Sequence, residues 1–183
     1  MPGYRRAQLE GGTFFLTVVT HHRRRILCGP GVRRVLARAF AETRATRPFA
    51  IEGIVLLPDH LHVMLRLPSG DGDFSGRIGQ IKSRFTRAYL TAGGSEAPAT
   101  SSRTRQRYRG VWEKRFWEHT IRNVRDYCLH LDYIHYNPVK HGLVAKAADW
   151  PFSSFHRYVR LGRYAPDWAG PEHSPNTEYI EPW

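Results

Sequence analysis

The sequence predicts an α+β fold, an antiparallel sheet with helices on one face and the other face available to a ligand. Three observations predict it. Apolar residues switch between strand and helix spacing in the order strand, helix, strand, strand, helix, strand, helix. The two adjacent strands are separated only by the short turn Pro58-Asp59-His60. No apolar run approaches the roughly 20 residues that a bilayer-spanning helix requires.

Each element has its own signal. Thr13 to Thr20 (TFFLTVVT) is dense in β-branched and aromatic residues and reads as a buried strand, followed by a basic turn from His21 to Arg25. After Gly29-Pro30-Gly31, residues Val32, Val35, Leu36, Ala39 and Phe40 recur at helical spacing, predicting a helix from Val32 to about Thr46 that Pro48 stops. Phe49 to Leu57 and Leu61 to Leu67 are apolar runs suited to neighbouring antiparallel strands. Phe74 to about Leu90 returns to helical period. Ile78, Ile81, Phe85, Ala88 and Tyr89 fall on one side, and Arg77, Gln80, Arg84 and Arg87 gather on another as a guanidinium stripe. Thr91 to Arg109 is small, polar and basic and reads as a loop. Val111 to Phe116, with a continuation toward Ile121, is the fourth strand candidate. Asn123 is a helix cap with Asp126 three residues on, opening a helix from Val124 to about Tyr136 that Pro138 and Gly142 end. The result is the βαββαβ order of a ferredoxin-like sandwich with an added C-terminal helix. Residues 1–148 make up this unit, and the aromatic, proline-bearing stretch 149–183 is expected to be an irregular tail packed on it.

Charge narrows the partner. The 28 Lys and Arg against 16 Asp and Glu give a net charge of +12, and 24 of the 28 are arginine, whose planar fork suits phosphate. Between Arg77 and Arg125 there are 12 basic residues against Glu96, Glu113 and Glu118. Nucleic acid is the polyanion this favours, although an arginine-rich composition has the same look. The N-terminus lacks the apolar core of a signal peptide, so the expected location is cytoplasmic and nucleoid-associated. Cys28 and Cys128 are too few for a disulfide framework and read as free thiols, with Cys128 expected in the core.

The chemistry lies in two segments. His60 and His62 sit two apart on a strand whose other face carries Leu61, Val63, Leu65 and Leu67, so both imidazoles project to one side and can grip one cation. Two ordinary histidines would have the same spacing, and a third ligand is needed to separate the readings. On the last helix, counting 100° per residue from Val124, residues Tyr127, Cys128, Leu131, Ile134 and His135 form the apolar stripe, and Tyr133 falls at about 180°. Asn137 lies one turn beyond Tyr133, on the same polar side as Asp126 and His130. A phenol with an ordinary pKa near 10 needs strong positive charge nearby to attack phosphorus. Two imidazoles and one amide oxygen would hold a divalent ion with open positions, magnesium or manganese rather than structural zinc.

These residues stand in motifs that resemble a known family. Pro58-Asp-His-Leu-His62 is similar to the signature of the HUH single-strand DNA nucleases. Asp132-Tyr-Ile-His-Tyr-Asn-Pro-Val-Lys-His-Gly-Leu-Val144 resembles the tyrosine motif of the REP-associated tyrosine transposases. Tyr4-Arg-Arg, Gly11-Gly-Thr-Phe-Phe15, Arg115-Phe-Trp-Glu-His119 with Ile121-Arg122, and Asp149-Trp-Pro-Phe-Ser-Ser-Phe155 match in the same order. The resemblance implies a ferredoxin-like fold, a metal on His60 and His62, and Tyr133 as the nucleophile that becomes linked to a DNA 5′ phosphate. It puts Asn137 where related transposases carry a third ligand, usually glutamine. The implied substrates are palindromic DNA hairpins with an unpaired guide segment. The sequence departs by an extra loop from about Gly93 to Arg107, by its tail after Gly170, and by Tyr136, where relatives often carry an aliphatic residue. Tyr136 is about 60° around the helix from Tyr133, and alignment with Asn137 favours Tyr133.

The expected activity is therefore metal-dependent cutting and rejoining of single-stranded DNA, by a monomer rather than a homodimer. Arg77, Arg84, Arg87, Arg103, Arg105, Arg107, Arg109, Arg115 and Lys140 are the candidate phosphate contacts. Trp117 is the candidate stacking partner for unpaired bases, with Trp112 and Phe116 as others. Two further readings use the same surface: a module that binds structured DNA or RNA without turnover, and a nuclease in which water is the nucleophile.

Overall fold

The computed structural model describes residues 10–98 and 109–170. Arg103, Arg105, Arg107, the Tyr4-Arg-Arg motif and the tail after Gly170 lie outside these residues. Strands β1 (Thr13–Val19), β2 (Ala50–Leu56), β3 (His60–Arg66) and β4 (Trp117–Thr120) form an antiparallel sheet in the order β2-β3-β1-β4. Helices α1 (Val32–Thr46) and α2 (Phe74–Thr91) pack on one face, and α3 (Val124–Lys140) and α4 (Phe155–Arg160) on the other. The expected α+β architecture and strand order are present. Among the described residues no helix is long and apolar enough to cross a membrane.

Strand alternation separates the layers. Phe14, Leu16 and Val18 of β1 with Leu61, Val63 and Leu65 of β3 bury into the α1/α2 side, whereas Phe15 and Met64 bury against α3. Helix α3 approaches β2 closely because Gly53 has no side chain. A Cβ there would stand 2.8 Å from Leu131 Cδ1 and 3.1 Å from Ile134 Cδ1, at the position where the β2–β3 register shifts. The stretch after Trp150 is tied on through the bridge between Val55 and Ser153 and the buried Phe155.

Several expectations are corrected. Val111 to Phe116 is not the fourth strand: Val111 and Trp112 are buried, the Trp112 ring against Phe85 of α2, and ladder pairing with β1 begins at Trp117. Helix α3 does not stop before Pro138 but runs through it to Lys140. Proline forgoes a bond to the Ile134 carbonyl, yet its ring is buried and the helix closes beyond it. Gly142, at φ 64°, donates to the Val139 carbonyl and Leu143 to that of Pro138, a Schellman end. Cys128 is exposed rather than in the core.

Arg77 is the largest correction. Its side chain is 1% exposed, and the guanidinium bonds both oxygens of Asp71 and the carbonyls of Pro48 and Asp73. With every edge of its fork used internally, it braces the loop before α2 and is not a phosphate contact. At the far end of β1, His22 and Arg23 hold left-handed backbone, with φ of 52° and 50°. Each such residue costs about 1–2 kcal/mol.

Candidate active site

The pleat of β3 turns His60 and His62 toward α3, and their rings lie 4.9 Å apart. Both are buried. Each Nδ1 has a partner: His60 Nδ1 donates to Asp59 Oδ1 at 2.6 Å, and His62 Nδ1 shares a 2.9 Å hydrogen bond with Thr17 Oγ1 of β1. Such outer bonds fix ring orientation and turn Nε2 inward as the atom that could ligate. His60 Nε2 is buried and has no hydrogen-bond partner among the described residues.

Helix α3 brings Tyr133 and Asn137 to the same side. The buried residues His130, Leu131, Tyr133, Ile134, His135, Asn137 and Pro138 centre the buried stripe about 60° away from the expected one, and Val124 and Cys128 face outward. The rotation occurs because the sheet offers imidazoles here, so the polar edge of the helix is buried with its apolar edge. Tyr133 is 2% exposed, its ring 5.2 Å from that of His62 and 5.8 Å from that of Phe15. Asn137 is fully buried, and neither its Oδ1 nor its Nδ2 has a well-formed hydrogen bond among the described residues. Buried carboxamides so poorly satisfied are rare. A cation bound by His60 Nε2, His62 Nε2 and the Asn137 carboxamide oxygen would fit this donor set. Tyr136 points away, toward Trp168.

The electrostatics favour neutral imidazole. Burial pushes the pKa of His62 well below the ordinary histidine range, the neighbouring His60, His141 and Lys140 push it further, and a side-chain hydrogen bond with Asn137 opposes them. Neutral rings are the ligating form. Lys140 Nζ lies 3.3 Å from Tyr133 Oη.

No family model matches the chain. It is 44% identical over 170 residues to the REP-associated tyrosine transposase of Escherichia coli (strain K12), covering 93% of this chain and 92% of that one. The chain belongs to the REP-associated tyrosine transposases. A Haemophilus influenzae protein of the same family description is 40% identical over 172 residues, 93% of this chain and 94% of its own. A solved structure of a REP-associated tyrosine transposase bound to a REP hairpin superposes with a TM-score of 0.79 at 42% identity, covering 96% of each chain.

In this transposase a cleft of about 560 Å³ opens beside the histidines, lined by Thr17, Val19, His22, Arg23 and residues 113–117. It combines the cations Arg23, Lys114 and Arg115 with the half-buried rings of Phe116 and Trp117. The other expected contacts are placed differently. Arg84 is paired with Glu42 at 3.0 Å and Arg87 is exposed, but both ride on α2, across the sheet from the histidines. Arg109 is paired with Glu96.

Sequence reasoning missed Asp59, Thr17, Arg23 and His141, whose ring is 5.2 Å from that of His60. Asp59 stood inside the quoted motif, and strand alternation could have put Thr17 beside a histidine. His141 likewise stood inside the tyrosine motif, and Arg23 only in the basic turn after β1. Two further trios, His21/His22/Glu113 and His119/Asp126/His130, hold ligating atoms within 4.8 Å of one another. Both are closed by internal bonds: Glu113 accepts from His21 and His22, and Asp126 pairs with His119 while His130 Nδ1 donates to the Asp126 carbonyl.

Proposed function

We propose that this chain cuts and rejoins single-stranded DNA at palindromic hairpin repeats through a covalent 5′-phosphotyrosine bond to Tyr133. The observation that carries the reading is the convergence of the Tyr133 ring on His62, with His60 and the buried Asn137 carboxamide on the same side of the sheet. Kinship to a transposase bound to a REP hairpin supports the substrate class.

In this reading Tyr133 Oη forms a bond to phosphorus as the bond to the 3′ oxygen breaks, so the energy of the phosphodiester is kept for rejoining. Lys140 Nζ stabilises the phenolate. Asp59 and Thr17 hold the two imidazoles in the ligating orientation. A divalent cation on His60, His62 and Asn137, magnesium or manganese given its hard outer ligands, would supply positive charge to a phosphate oxygen. Arg115, Lys114 and Trp117 receive the unpaired strand in the cleft, with phosphates on the cations and a base on the indole.

Denaturing electrophoresis tests this with a labelled hairpin oligonucleotide carrying a single-stranded flank. The wild-type chain with magnesium should give a covalent adduct, and Tyr133→Phe should give none. An undiminished adduct from Tyr133→Phe would remove Tyr133 as the nucleophile. Undiminished cleavage without any adduct would favour water.

A further inference from the structure

The left-handed turn at His22 and Arg23 is built from residues that seldom adopt that conformation, so its surroundings must hold it there. Glu113 supplies the hold. Its Oε1 accepts from the His22 backbone N–H at 2.8 Å and from Nδ1 of the fully buried His21 at 2.9 Å. On its other side the turn grips Asp59. Thr20 N and Thr20 Oγ1 both donate to the Asp59 carbonyl, at 2.9 and 2.8 Å, and Arg23 Nη1 reaches Asp59 Oδ2 at 3.4 Å. Asp59 thereby divides its carboxylate, with Oδ2 toward the guanidinium and Oδ1 toward His60 Nδ1.

We infer that Glu113, Arg23 and Asp59 form a clamp that fixes the orientation of His60, so that a strained turn outside the site sets how tightly the cation is held. The clamp rests on the reading of His60 as a ligand. Its three members are positioning residues and touch neither cation nor DNA in this role. The divided Asp59 carboxylate carries the effect from the turn to His60. Without Arg23 on Oδ2 the carboxylate is free to turn, and the bond that points His60 Nε2 inward loosens. Without Glu113 the turn can relax out of its left-handed conformation and withdraw Arg23.

Manganese titration of the DNA-free, full-length chain, followed by electron paramagnetic resonance, tests the clamp alongside thermal unfolding. His60→Ala should abolish the site, and Asp59→Ala should weaken it by about 10- to 100-fold, the usual effect of removing an outer partner. Arg23→Met and Glu113→Ala should each weaken it by about 3- to 10-fold, acting at one remove. Glu113→Gln should bind as the wild type, because its amide oxygen accepts the same two bonds. Arg23→Met combined with Asp59→Ala should be no weaker than Asp59→Ala alone. Wild-type affinity in Arg23→Met and folded Glu113→Ala, with Asp59→Ala weakened, would overturn the clamp while leaving the cation reading intact. If Glu113→Ala does not fold, Arg23→Met against Glu113→Gln decides. Wild-type affinity in His60→Ala would overturn the cation reading itself, and the clamp with it.

Discussion

Lys140 Nζ donates a 3.3 Å hydrogen bond to Tyr133 Oη and lies 4.9 Å from the centre of the same ring. The two residues are seven apart on α3, so the long lysine stem lies back along two helical turns to reach the phenol. An ammonium there favours the phenolate. Replacing Lys140 with methionine should slow adduct formation about tenfold or more at saturating DNA, an exposed group being worth less than a buried oxyanion donor. Single-turnover rates check this. A change in hairpin affinity alone, at unaltered rate, would make Lys140 a phosphate contact.

Gly53 governs how α3 sits. Gly53→Val would drive its side chain into Leu131 and Ile134. It should destabilise the fold by about 1–3 kcal/mol, as overpacking does. It should also reduce adduct formation by more than the folded fraction falls, since the helix carrying Tyr133 must shift. Urea denaturation beside the adduct assay separates the two effects.

His135, on the flank of α3 facing α4, gives the fold an acid limit. It is fully buried and shares a 2.9 Å hydrogen bond with Ser154 Oγ. Burial, with the charges of Arg157 and His156, pushes its pKa down to about 3. The folded form therefore keeps this ring neutral while the unfolded chain takes up a proton below about pH 6.5. Stability should fall as pH drops from about 6.5 toward 3, by up to about 1.4 kcal/mol per unit from this group. His135→Gln keeps a hydrogen-bonding side chain without the titration and should flatten the profile in that window. Equal slopes for wild type and variant would refute the assignment.

Arg77 and Arg87 should behave as opposites despite sharing a helix. Arg77→Ala strips the Pro48 and Asp73 carbonyls of their donor while Asp71 keeps its contact with water, and should cost about 1–3 kcal/mol. The salt dependence of DNA binding by the remaining folded protein should not change. Arg87→Ala should leave stability within about 0.5 kcal/mol. If its guanidinium meets a phosphate, the log-log salt slope should drop by about 0.7–0.9.

Periodicity carried most of the fold. The limits of α1, the Asn123 cap and the shared direction of His60 and His62 were legible because each depends on local spacing. What was not legible depended on partners distant in sequence. A helical count ranks Arg77 as polar and therefore outward, but cannot register that Pro48 and Asp71 wait to receive it. The same count turned α3 wrongly, because Val124 and Cys128 are apolar yet exposed, while His130 and Asn137 are polar yet buried. The β-like run before Trp117 buries its aromatic residues against α2 instead of extending a strand.

Strand β3 is written for two readers. His60 and His62 turn toward Tyr133 and α3, and the odd-numbered leucines and valine address the oily layer behind. Insertion or deletion of a single amino acid within these seven residues would transpose the two messages, presenting leucine to the phenol and burying imidazole in grease. Heredity can thus vary this segment by substitution but scarcely by length, and a relative whose β3 differed by one residue should have lost nuclease and fold together.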